Sequence, residues 1–133
     1  MNSIIKTLLR FSLVALWSMS AWAGDVIVVA NSNVTLSADD VKDVFIGEKQ
    51  IVGGTKLTPM DNASIQADFL ARAIKVDAAK YASIWAKRAF REGINPPAVR
   101  GTDAEVIAAV KSTPGAIGYV SKAPDGVKVI AKY

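Results

Sequence analysis

The chain has 133 residues, with 16 basic and 12 acidic side chains for a formal net charge of +4, and it contains neither Cys nor His. Those two absences exclude disulfides, the usual zinc sites and the Ser-His and Cys-His catalytic pairs, and no run of carboxylates has the spacing of a calcium loop. With 51% of its residues hydrophobic the chain is not a disordered one, and its interspersed charges do not mark nucleic acid or a membrane surface as a partner.

The first residues read as an export signal. Lys6 and Arg10 supply the positive region, Phe11 to Trp17 the apolar core, and Ala21-Trp22-Ala23 a small-x-small cleavage site before Gly24. The apolar run is far shorter than the ~20 residues that cross a bilayer, so no membrane span is expected after cleavage. Residues 1–23 are thus read as a cleaved signal peptide and 24–133 as one domain, soluble in the periplasm or secreted. Loss of Lys6 and Arg10 lowers the net charge of the 110-residue remainder to +2.

From Asp25 to Ala30 a continuous apolar run predicts a strand buried on both faces, ended by Asn31-Ser32-Asn33. Ser37 and Asp40 form a capping-box-like pair opening a helix with Val41, Val44 and Phe45 on one face and Gly47 at its end. Gly53-Gly54 predicts a turn, followed by a short strand at Lys56–Met60. Asp61-Asn62-Ala63-Ser64 then supplies capping chemistry for a second helix that carries Ile65, Phe69, Ala73 and Ile74.

Asp77 opens a third helix whose inward stripe is read as Tyr81, Ile84, Trp85, Ala89 and Phe90, core residues rather than a ligand-stacking surface. Gly93 stops it, and Pro96-Pro97 forces an extended connector. Thr102 and Glu105 make a capping box for a helix with Val106, Ile107 and Val110 inside. Pro114-Gly115 is a turn that needs a positive φ, and Gly118 in the strand Ala116–Val120 marks a close approach of another segment. Asp125-Gly126 turns the chain into a last strand, Val127–Ile130. Strands alternating with helices predict an α/β fold with helices on both faces, and a hairpin of the last two strands would make the sheet mixed.

The string Thr113-Pro114-Gly115-Ala116-Ile117-Gly118-Tyr119 resembles the "TPGAIGY" segment of the phosphate-binding proteins that serve ABC transporters. Val44-Phe45-Ile46-Gly47, ending the first helix, is similar to that family's "IFLG" or "IYLG". Trp85 to Phe90, Pro96-Pro97 and Thr102 to Val110 resemble short members of the same family. The resemblance implies a single mixed-sheet lobe of the type II periplasmic binding protein fold. It also implies phosphate or a related oxyanion as ligand, an ABC transporter or another envelope protein as partner, and a homodimer as one way of covering a half-site. Two departures stand out. The Ser-Gly-Thr triplet that opens the family's second helix is replaced by Asn62-Ala63-Ser64-Ile65-Gln66, and the partner lobe is missing.

Ligands in open α/β sheets gather beyond the carboxyl ends of strands. The candidate ligand-binding residues are therefore Asn31, Ser32 and Asn33 after the first strand, and Asp61, Asn62 and Ser64 after the second, converging on a small anion. The same residue types are what caps and turns require, so capping alone and capping with ligand contact both stay open. Arg100 is either a counter-charge or a solvated surface residue. No catalytic residue, metal or cofactor is expected. The alternative function is a ligand-free interaction module of the cell envelope.

Overall fold

A computed structural model describes residues 24–133; the export signal read over residues 1–23 lies outside them. In chain order it contains β1 (Ile27–Ala30), a 3-10 turn (Ala38–Asp40) leading into α1 (Val41–Phe45), the two short strands β2 (Ile51–Val52) and β3 (Thr55–Lys56), and β4 (Thr58–Asn62). These are followed by α2 (Gln66–Phe69) with a π-helical turn (Leu70–Ile74), α3 (Ala78–Glu92), β5 (Ala98–Arg100), α4 (Asp103–Ser112), β6 (Ala116–Val120) and β7 (Lys128–Lys132).

Five strands form one sheet in the order β5-β4-β6-β1-β7, while β2 and β3 pair separately across the Gly53-Gly54 turn. β4 runs parallel to β5 and β6, and β1 runs antiparallel to β6 and β7, so the sheet is mixed, as the sequence implies. The expected hairpin of the last two strands does not form, because β1 lies between them. The reason is burial. Val28, Val29 and Ala30 have no exposed surface, and a strand that is apolar on both faces is best placed inside a sheet. β7 carries exposed Lys128 and Lys132 and suits the edge.

Alternation along the strands sends residues to two faces. Val28, Ile117 and Tyr119 point to the face covered by Phe45 of α1, Phe69, Leu70 and Ile74 of the second helical segment, and Tyr81 and Trp85 of α3. Val29, Met60, Ala116 and Val120 point to the other face, which Val106 and Val110 of α4 cover. Helices therefore lie on both faces.

The third helix starts where its cap predicts, with the Asp77 carboxylate accepting from Lys80 N at 2.7 Å, and its C-cap is Gly93 at φ 70°. Its inward stripe is narrower than expected. Tyr81 and Trp85 are buried, but Ala89 is exposed and Phe90 is 91% exposed. Nine residues at 3.6 per turn place Phe90 half a turn away from Tyr81, on the solvent side. Trp85 Nε1 donates to Phe45 O at 3.0 Å, and Arg88 Nε donates to Ile46 O, which fastens α3 to the end of α1.

The approach predicted at Gly118 is made by a side chain of α4: a Cβ there would lie 2.6 Å from Val106 Cγ1. Gly118→Ala should cost about 1–3 kcal/mol by overpacking. Val106→Ala in the same chain should recover part of that loss, which a double-mutant cycle of denaturation midpoints would read. Additive costs would show that Val106 is not what Gly118 makes room for.

Candidate functional site

The two polar loops that the sequence singles out do not meet. Because β1 is antiparallel to β6 while β4 is parallel to it, their carboxyl ends lie at opposite edges of the sheet. Asn31 N donates to Ala116 O, at the start of β6, whereas Asn62 Nδ2 donates to Tyr119 O, near its end. The expected convergence of Asn31, Ser32 and Asn33 with Asp61, Asn62 and Ser64 is corrected on this ground. Strand direction, which no local pattern encodes, decides it.

At the first edge the polar groups organise the turn before β6. Asn31 Nδ2 donates to Val110 O at 2.8 Å and to Lys111 O at 3.3 Å, and its Oδ1 accepts from Asn33 N. Asn33 Oδ1 accepts from Gly115 N at 2.9 Å. Both asparagines thus satisfy the end of α4 and the Pro114-Gly115 turn. Ser32 is exposed.

At the second edge Asp61 and Asn62 are the last two residues of β4 rather than helix caps, and both are buried. They point to opposite faces. Asp61 Oδ2 accepts from Tyr81 OH at 2.9 Å and Oδ1 from Tyr119 OH at 2.8 Å. Burial pushes the Asp61 carboxyl up from its ordinary value, and the hydrogen bonds from Tyr119, Tyr81 and Gln66 offset only part of that rise. Burial and the neighbouring carboxylate likewise raise both phenols. Phe69 stacks on the Tyr119 ring at 3.8 Å between centroids, and Phe45 meets it edge-on at 5.7 Å.

On the other face Asn62 Nδ2 donates to Asp103 Oδ1 at 2.8 Å, and Asn62 Oδ1 accepts from Ser64 N and Oγ. Asp103 is the first residue of α4, whose cap Thr102 accepts from Glu105 N. Its Oδ2 accepts from Ser121 N at 2.9 Å and Ser121 Oγ at 2.5 Å. Partial burial raises the Asp103 carboxyl, but the hydrogen bonds from Ser121, Asn62 and Lys122 N outweigh it and hold the group below its ordinary value. Asn62, Asp103 and Ser121 therefore join the carboxyl ends of β4, β5 and β6 around an ionised carboxylate.

Around this knot the exposed polar groups include Ser64, Arg100 at the end of β5, Lys122 just after β6, and Thr102 and Glu105 at the start of α4, where Glu105 Oε2 accepts from Gly101 N at 2.8 Å. Neither Arg100 nor Lys122 has an ion-pair partner among the described residues. Sequence reasoning does not single out Asp103, Ser121 and Lys122. The Thr102–Glu105 capping box marks the helix start, but their meeting with Asn62 depends on the crossover that brings α4 and β6 beside β4.

Among the described residues no three potential metal ligands cluster, and no helix is long and apolar enough to cross a membrane. No protein-family model matches the chain, and no curated protein matches it. Solved structures do. PstS from Borrelia burgdorferi is 18% identical over 81% of this chain and 47% of its own, with a TM-score of 0.51. An ABC-type phosphate transport receptor from Vibrio cholerae is 16% identical over 80% of this chain and 46% of its own, with a TM-score of 0.48. The chain spans less than half the length of either receptor. At such identities the likeness speaks for architecture alone: residues 24–133 share the mixed α/β fold of part of the Borrelia structure.

Proposed function

We propose that the chain is an exported solute-binding-type domain that takes phosphate or a related oxyanion at the edge where β4, β5 and β6 end, and that it serves an ABC transporter or another envelope protein rather than catalysing a reaction. The observation that carries this reading is the pair of cationic side chains, Arg100 and Lys122, that have no ion-pair partner among the described residues and lie there beside the start of α4. The helix N-terminus adds N–H groups and positive potential. Similarity in fold to the Borrelia phosphate receptor supports it. Of the residues singled out from sequence, Asn62 and Ser64 belong to this edge. Asp61 faces the opposite side of the sheet, Asn31 and Asn33 stabilise the far edge, and Ser32 is exposed there.

An anion at this open edge stays largely hydrated, and the Asp103 carboxylate already holds Asn62 and Ser121. Affinity should therefore be millimolar at best, roughly −4 kcal/mol. A ligand at 100-fold its dissociation constant stabilises by about 2.7 kcal/mol. Phosphate at high millimolar concentration should raise the unfolding midpoint by several degrees over sodium chloride of equal ionic strength, and Arg100→Ala should remove most of the rise. No rise with phosphate, sulfate or arsenate would overturn the reading. That result would favour the ligand-free interaction module, for which the exposed Phe90 and the 61% exposure of Val99 on edge strand β5 already speak.

A further inference from the structure

The edge opposite to the proposed oxyanion site holds a cavity of about 510 Å³. Its origin lies in the sheet. β5 begins at Ala98, opposite Met60, so Thr58 and Pro59 of β4 pair with β6 alone. The connector Gly93–Pro97 and the chain around Lys49–Gln50 and Lys56 line the space. Leu57, Pro59, Trp85, Ile94 and Pro97 are its apolar lining. Polar groups come from Lys49, Gln50, Lys56, Thr58 and Asn95, and no acidic residue lines the space. Small-molecule sites have this size and this mixture of apolar walls with a few polar groups.

The two lysines are not equivalent. Lys49 Nζ lies 2.6 Å from Asp40 Oδ1, and that carboxylate raises its pKa and offsets its positive charge. Lys56 is exposed and has no ion-pair partner among the described residues. The lining therefore offers one uncompensated positive charge beside apolar, ring-bearing walls.

We infer that this cavity is a second binding site, for a small organic anion with an apolar ring, held by Lys56 through its carboxylate and by the Trp85, Pro59 and Pro97 walls through its ring. It is independent of the oxyanion reading, because the two sites lie at opposite edges of the sheet.

Titration of ¹⁵N-labelled protein with benzoate tests it. Benzoate should shift the amide signals of Lys56, Leu57, Thr58, Ile94 and Asn95 while leaving Ser64 and Ser121 in place. Lys56→Glu should weaken that binding at least tenfold, and Thr58→Phe, which fills the space from an exposed strand position, should abolish it in a chain whose dispersed spectrum shows it folded. Benzyl alcohol should bind at least tenfold more weakly than benzoate. The inference is overturned if benzoate leaves those amides unmoved, if benzyl alcohol or inorganic phosphate reproduces the shifts at equal concentration, or if folded Lys56→Glu binds benzoate as before.

Discussion

Gly115→Ala is expected to destabilise the protein by about 3–5 kcal/mol, a large part of the stability of a domain this size. Two costs combine. The residue sits at φ +83°, where a Cβ costs roughly 1–2 kcal/mol, and that Cβ would stand 2.1 Å from the carbonyl oxygen of Lys56. A backbone oxygen cannot rotate aside as a side chain can. Moving it would also disturb the bond from Thr58 N to Gly115 O, which ties the turn to β4. Gly54→Ala is the matched control, since Gly54 has φ +81° and a Cβ added there would meet nothing within 4 Å. It should lose only the strain, about 1 kcal/mol. Equal denaturation midpoints for the two variants would show that the Lys56 carbonyl is not the obstacle.

The second large effect is expected at the buried Asp61. Its raised pKa means that the folded chain holds the proton more tightly than the unfolded chain does. This contribution to stability is fully present below the ordinary carboxylate value, 3.8, and is lost as pH rises through the higher folded value. At neutral pH the buried charge depends on the two phenols. Tyr119→Phe should therefore cost about 1.5–3 kcal/mol at neutral pH and less in acid, where a neutral carboxyl needs its donors less. Asp61→Asn should remove the pH-dependent loss, so that from acid to neutral pH its stability falls less, or rises more, than that of the native chain. Stability that falls equally with pH in Asp61→Asn and in the native chain would assign the fall to other groups. Asp40 and Asp103 act in the opposite sense, because their lowered values favour the folded state as pH rises. The comparison must therefore be made against the single variant rather than against a flat line.

Much of the fold is legible in the sequence because local chemistry sets it. The both-face apolar run of β1, the Asp77 cap and Gly93 stop of α3, and the Thr102 cap of α4 each act within a few residues, as do the positive φ at Gly115 and the apolar run of β6. β5 reads only as an extended connector. Its three residues carry no alternation that separates a strand from the stretch after Pro97, and partnership with β4 makes them one. The second helix reads as regular, whereas its second half is a π-helical turn that keeps Leu70 and Ile74 both buried and ends at Lys75 with φ 64°. The candidate site is less legible still. Asn62 and Ser64 stand out as polar groups, but Asp103, which accepts from Asn62, and Ser121, which donates to Asp103, lie far along the chain. Asn31 and Asn33 are misplaced by sequence reasoning because a strand that is apolar on both faces looks the same whichever way it runs.

The insertion of β1 between β6 and β7 carries a kinetic consequence. Ile27 faces Val120 on one side and Lys132 on the other, so the earliest strand of the sheet waits for the latest two before its main-chain groups are paired. A polypeptide emerging from the ribosome keeps this greasy segment without neighbours until translation is nearly done. Closing so long a loop is slow, so the centre of the sheet is completed only once nearly the whole chain is available to it.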